Sequence, residues 1–183
     1  AWNRPDDLIP RQVYAYAITA EGRLAAKAGD IRDIYSTLDD MNYVQPEYFK
    51  ALVDWLLNVS QRHTEEYFSI VGIRLLNVSL LVDKLGRVKA MELMDEVAER
   101  MRALLRGTDI TTRTNERDIW ILLPKTSCPD CNVVLTRIRE LQDLGRDGDV
   151  HLEFNQSSLS LPEDAGEVTG AEQLMALMVS NMK

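Results

Sequence analysis

The chain has 183 residues, 45% of them hydrophobic and 27% charged, the proportions of an ordinary soluble protein with one cored domain and an extra segment. Its formal net charge of −8 argues against a general nucleic-acid binder, which carries a basic patch or stripe, but not against a small anionic ligand held by a few local arginines. No apolar run approaches the ~18 residues of a spanning helix, and no signal peptide is expected.

Residues 1 to 10, "AWNRPDDLIP", are rich in Pro and Asp and read as a linker or tail. With no initiator Met, the chain is expected to be a piece of a longer protein. "QVYAYAITAEGRLAAKAG" alternates apolar and polar residues around "AEG". It suits a hairpin, the end of an upstream sensor-like domain, while Ala25, Ala26, Lys27 and Ala28 suit a helix equally well. Residues 1–47 are therefore assigned to a linker or remnant of an upstream sensor or signalling segment, and 48–183 to the main domain.

From "PEYFKALVDWLLNVSQRHTEEY" onward the periodicity sharpens. Phe49, Leu52, Val53, Leu56 and Leu57 recur at helical spacing, and Pro46 suits a first helical turn. Residues 67–75, "YFSIVGIRL", form a buried strand. "SLLVDKLGRVKAMELMDEVAERMRALLRG" is helical, broken or bent near Gly86, with Leu93, Val97, Met101 and Leu104 on one stripe. It is expected to end with Gly107 at C′, where glycine takes the left-handed conformation without penalty. "DITTR" and "DIWILLP" flank "TNERD" as an antiparallel hairpin. "CPDCNVVLTRIRELQDL" is a helix, "VHLEFNQSSLSLP" a strand and "AEQLMALMVSNMK" a closing helix. The order from residue 49 is α–β–αα–β–β–α–β–α, which gives an α+β fold with a mainly antiparallel central sheet covered by helices.

The two cysteines, Cys128 and Cys131, lie in "SCPDC". One CxxC without a second pair or nearby histidines is half a zinc site at best, so no metal or cofactor is expected. Ser127 is a candidate N-cap that puts both thiols in the first turn of a helix. A helix N-terminus favours the thiolate, so redox chemistry stays open beside the plainer reading of a helix start that contains cysteines. Reduced thiols fit a cytoplasmic compartment, either for this chain alone or for the cytoplasmic part of a membrane-anchored protein.

Residues 68 to 139 resemble a GGDEF domain, the catalytic domain of bacterial diguanylate cyclases, with a nucleotidyl-cyclase-like fold. "FSIVGIRL" matches the family's first strand, "VDKLGR" its N-D-x-x-G-H segment, and "LLRGTD" the helix end that carries R-x-x-D. "RTNERDIWILLP" matches R-x-G-G-D-E-F-x-x-L-L-P, and "LTRIR" matches the A-E-R-[ILV]-R helix. The upstream D-x-L-T-G-L-x-N-R-R-x-F box is nearly erased, with Tyr48 and Phe49 left.

The departures fall on catalytic positions. The resemblance implies a metal-binding carboxylate where Arg74 stands and another where Arg117 stands. Asn115 and Glu116 replace the two turn glycines, and Asp118 follows them. Val82 and Met91 occupy the guanine-reading positions. A guanidinium cannot coordinate the cation that neutralises phosphates in phosphoryl chemistry. The expectation is therefore a degenerate domain that is not an enzyme.

The family's product-binding R-x-x-D survives as Arg106-Gly107-Thr108-Asp109, and Arg137 stands where a second arginine completes that site. The resemblance to degenerate GGDEF receptors of the PelD type implies a cyclic di-GMP receptor. In such a site arginine pairs with guanine or phosphate, and aspartate accepts from guanine donors. Its implied output is control of exopolysaccharide or biofilm formation through a protein partner in a secretion or signalling complex. A homodimer is a further expected assembly, without nucleic acid or direct membrane insertion. The alternative is a nucleotide-independent dimerisation or interaction module with a relic R-x-x-D. On that reading Arg106 only answers a helix dipole and its pair with Asp109 is worth about 0–1 kcal/mol.

Overall fold

The computed structural model describes residues 43–63, 65–143 and 151–182. The expected linker at 1–10 and the hairpin-or-helix at 12–29 lie outside the described residues.

Helix α1, Pro46–Arg62, starts with proline in its first turn, where the missing N–H has no intrahelical partner to lose. It buries Phe49, Val53, Leu57 and Ser60 along one stripe. Strand β1, Phe68–Leu75, is buried along all but one position, the mark of a central strand covered on both faces. Helix α2, Val78–Leu85, and helix α3, Arg87–Leu104, meet at Gly86, whose φ of 81° is open to a residue without Cβ. That is where the sequence placed the break. The expected C′ glycine is corrected: α3 stops at Leu104 with Leu105 extended behind it, and Gly107 takes no left-handed conformation. The chain leaves α3 in a turn closed by Asp109 instead of a glycine cap.

Strands β2, Ile110–Arg113, and β3, Asp118–Pro124, form the expected hairpin. Helix α4, Cys128–Glu140, is capped by Ser127 and runs into a short 3-10 turn at Leu141–Asp143. Strand β4, Phe154–Leu161, and helix α5, Ala171–Asn181, complete the described chain.

The sheet order is β2-β3-β1-β4, with every strand pair antiparallel. The fold is thus α+β with helices on both faces of an antiparallel sheet, as expected. Alternation divides the core. Val71, Ile73, Leu75, Ile119, Ile121 and Leu123 point to the face covered by α2, α3 and α4. Ile70, Trp120 and Leu122 point to the face covered by α1 and α5. Register sets the rest: β1 faces β3 residue for residue, Gly72 against Trp120 and Arg74 against Asp118.

Candidate functional site

The β2–β3 turn is built by its own side chains. Asn115 Oδ1 accepts from the backbone N–H of Arg117 at 2.8 Å and of Asp118 at 2.9 Å, an Asx-type turn that replaces glycine flexibility with side-chain hydrogen bonds. Trp120 Nε1–H donates to Thr114 Oγ1 at 2.9 Å, tying the turn to the core. The Leu75 N–H donates to Arg117 O at 2.9 Å, fastening the end of β1 alongside.

The antiparallel register then brings Arg74 onto Asp118. Arg74 Nε–H and Nη2–H donate to the two Asp118 carboxylate oxygens at 2.7 and 2.8 Å, a forked pair. Asn115 Nδ2–H adds a third donor to Asp118 Oδ2 at 2.8 Å. Burial by itself would push the Asp118 carboxyl up. The hydrogen bonds from Arg74 and Asn115, with the charges of Arg74 and Arg117, outweigh it and hold the group below the usual carboxylate range. The same hydrogen bond raises the Arg74 guanidinium further. Arg74, Asn115, Glu116, Arg117 and Asp118 line an open cleft of about 430 Å³. Sequence reasoning named all five residues singly but not the Arg74–Asp118 pair, because nothing local links positions 44 residues apart.

This cleft is where the family resemblance implies a divalent cation. The donor set does not fit one: both Asp118 oxygens are engaged by nitrogen donors, and guanidinium groups stand at the two expected ligand positions. Among the described residues no cluster of three or more His, Cys, Asp or Glu side chains could hold a metal ion.

The second candidate locus lies beyond α3. Asp109 Oδ2 accepts the Arg106 backbone N–H at 2.7 Å, and the Asp109 N–H donates to Arg106 O at 3.0 Å. These reciprocal bonds close R-x-x-D into a rigid turn. Asp109 is only 3% exposed, so its carboxylate holds the turn from inside while the Arg106 side chain is exposed. Burial raises the Asp109 carboxyl above its ordinary range, against the lowering effects of the Arg106 N–H and its charge. Arg137 is exposed in the last turn of α4, and α4 packs beside α3 over the same sheet face. Val82 and Met91, at the expected guanine-reading positions, are partly buried against the apolar core.

Residues 47–151, more than half of the chain, match the family model described as "Diguanylate cyclase, GGDEF domain". No curated protein matches the sequence. Among solved structures, the GGDEF domain of PA1120 (YfiN or TpbB) from Pseudomonas aeruginosa superimposes with a TM-score of 0.61 at 19% identity, over 76% of this chain and 87% of that one. Diguanylate cyclase SiaD from Pseudomonas aeruginosa, solved with its activator SiaC, gives a TM-score of 0.59 at 16% identity, covering 97% of this chain and 65% of SiaD. The GGDEF domain of DgcB from Caulobacter crescentus, solved with c-di-GMP, gives 0.61 at 11% identity, over 78% and 84%.

The family match corrects one expectation. The expectation of a domain that is not an enzyme is contradicted: residues 47–151 match the model of a catalytic family, the diguanylate cyclases. That expectation rests on a few side chains around one turn. The match extends over more than half of the chain.

Proposed function

This chain belongs to the GGDEF-domain family of diguanylate cyclases, and on that premise we propose that it is a cyclic di-GMP receptor domain of the PelD type, binding through Arg106, Asp109 and Arg137. The observation that carries the reading is the closed Arg106–Asp109 turn, fixed by its 2.7 and 3.0 Å bonds at the exit of α3. A rigid turn delivers the Arg106 guanidinium with little ordering entropy left to lose, and a planar fork suits both guanine and phosphate. Arg137, on the neighbouring helix, supplies a second cation for a ligand with two phosphates. Asp109 acts mainly as the brace of Arg106; its buried carboxylate meets the guanine edge only if the turn opens. The structural neighbour DgcB was solved with this dinucleotide. The signal passes to a protein partner in a secretion or signalling complex that governs exopolysaccharide or biofilm output, with a second copy of the chain as a further partner, in the cytoplasm.

The test is a calorimetric titration with cyclic di-GMP and cyclic di-AMP. Wild type binds the guanine form, and Arg106→Ala weakens it about ten- to a hundredfold, the loss of a charge-assisted forked donor worth roughly 1.5–3 kcal/mol. Arg137→Ala weakens it in the same direction. Arg74→Ala leaves it unchanged, since Arg74 belongs to the cleft at the hairpin. Wild-type silence up to high micromolar ligand overturns the reading. Loss through Arg74 with Arg106 indifferent moves the ligand into the cleft. GTP turnover with Mg²⁺, measured on the same preparation, separates a domain that makes the dinucleotide from one that reads it.

A further inference from the structure

The dinucleotide reading leaves "SCPDC" unused, and the structure gives its two sulfurs unequal surroundings. Both cysteines are free. Cys128 is the first residue of α4 and is exposed; Cys131, one turn on, is 1% exposed. A buried cysteine normally acts as a small hydrophobe among apolar neighbours. Cys131 sits in the apolar core under α4, with Ser69 of β1 and Ser158 of β4 beside it. Ser69 Oγ in turn lies 2.9 Å from Ser160 Oγ and donates to Thr126 O at 2.9 Å. The inner sulfur is thus buried in the core, and solvent meets the outer one.

We propose that Cys128 and Cys131 are a reversible dithiol–disulfide pair, a modification site at the start of α4 that exchanges with small disulfides. This rests on nothing in the dinucleotide reading.

Reach favours the pair. A disulfide needs its two Cβ atoms about 3.5–4.5 Å apart, and positions i and i+3 of a helix stand about 5–6 Å apart. Closing that gap means tightening one turn to 3-10 geometry, which stacks i over i+3. The first turn is where a helix does this with least loss, because of its N–H groups only that of Cys131 has an i−4 partner to exchange, Ser127 O at 2.8 Å. Pro129, inside the pair, has no N–H at all. Ser127, whose Oγ receives the Asp130 N–H at 3.4 Å, holds the turn from outside without closing it to adjustment.

The chemistry balances as two exchanges. The Cys128 thiolate attacks one sulfur of a small disulfide. Its S–S bond breaks, a mixed disulfide forms on Cys128, and the departing small thiolate takes a proton from solvent. Cys131 releases its proton through water and attacks the Cys128 sulfur, expelling the second small thiolate, which is protonated in turn. Two protein thiols are oxidised and one small disulfide is reduced to two thiols. Burial raises the Cys131 thiol, Ser69 and Ser158 work the other way, and the charges of Cys128 and Asp164 raise it further, so the second exchange is the slower one and quickens with rising pH.

The test equilibrates the full chain in buffers of a small thiol and its disulfide at varied ratio. Samples are quenched in acid, alkylated and weighed intact. The expected populations are a doubly alkylated dithiol and an unalkylated disulfide, interconverting on re-reduction. Cys131→Ser accumulates the mixed disulfide on Cys128. Cys128→Ser, a change at an exposed position that leaves the core untouched, protects Cys131 from the same buffers. The proposal is overturned if the wild type stays a dithiol at every ratio. It is equally overturned if the wild type carries a persistent mixed disulfide on Cys128 while Cys131 remains open to alkylation.

Discussion

At the scale of single residues, the most consequential contact is the forked Arg74–Asp118 pair. The Asp118 side chain is 5% exposed and that of Arg74 27%, so the pair is only partly screened. Arg74→Ala leaves a buried carboxylate short of its main donor, and we expect a loss of about 1–3 kcal/mol, read as a lower denaturant midpoint. The sign with pH follows from the depressed carboxyl. Asp118 contributes stability above the usual carboxylate range, and this is lost as pH falls through its lowered value. Denaturation followed from neutral pH into acid therefore shows a shallower fall in Arg74→Ala than in wild type. An unchanged acid limb would mean that the pair contributes nothing to folding.

Asp109 has the opposite sign. Its carboxyl is raised by burial, so the charged form disfavours the fold at neutral pH and the penalty fades as pH falls through the raised value toward the unfolded one. Asp109→Asn keeps an oxygen acceptor for the Arg106 N–H. It should be at least as stable as wild type at neutral pH, with the difference shrinking in acid. A variant less stable at neutral pH and more so in acid would contradict this assignment.

At the scale of elements, helix α5 begins at Gly170, which has no side chain to cap it. The cap comes from α1: Asp54 Oδ1 accepts the Ala171 N–H at 2.7 Å. Lys50 Nζ and Glu172 Oε1, 3.0 Å apart but exposed, add little beside it. Asp54→Ala should lower stability by about 1 kcal/mol, the usual worth of an N-cap. Thermal melting of the variant with Lys50→Ala as the control checks that the cap outweighs the ion pair. Strand β1 has a comparable single point in Gly72. A Cβ there would stand 3.0 Å from Trp120 Cζ3 and 3.1 Å from Met182 Cε. Met182 is a flexible chain that can move, whereas Trp120 is fully buried. Gly72→Val is therefore expected to cost about 1–3 kcal/mol by overpacking, more than Gly72→Ala, with a change in Trp fluorescence.

At the scale of the whole molecule, the sheet is stable because both faces are covered. The family match stops at residue 151, before β4 at Phe154–Leu161 and α5 at Ala171–Asn181. Yet β4 pairs with β1 along its whole length, and α5 covers Trp120 and Ile70 together with α1. A chain cut before Gly170 uncovers that face. It should lose its cooperative unfolding transition and bind a hydrophobic dye, whereas retention of a sharp transition would show that α1 alone suffices.

The order of elements, the hairpin, the break at Gly86 and the apolar stripes were all legible in the sequence. These depend on interactions within a few residues: a period of 3.6 or 2, and a glycine that tolerates a φ of 81°. The family motifs were legible for the same reason, as local strings. What only the tertiary structure decided involves partners far apart in the chain. Register alone sets Arg74 against Asp118, turning two isolated charges into a forked pair. Helix packing alone brings Asp54 to the start of α5. The inward turn of Asp109 was equally out of reach, because R-x-x-D reads the same whether its carboxylate faces solvent or braces the backbone; only the packing around it excludes water and selects the second.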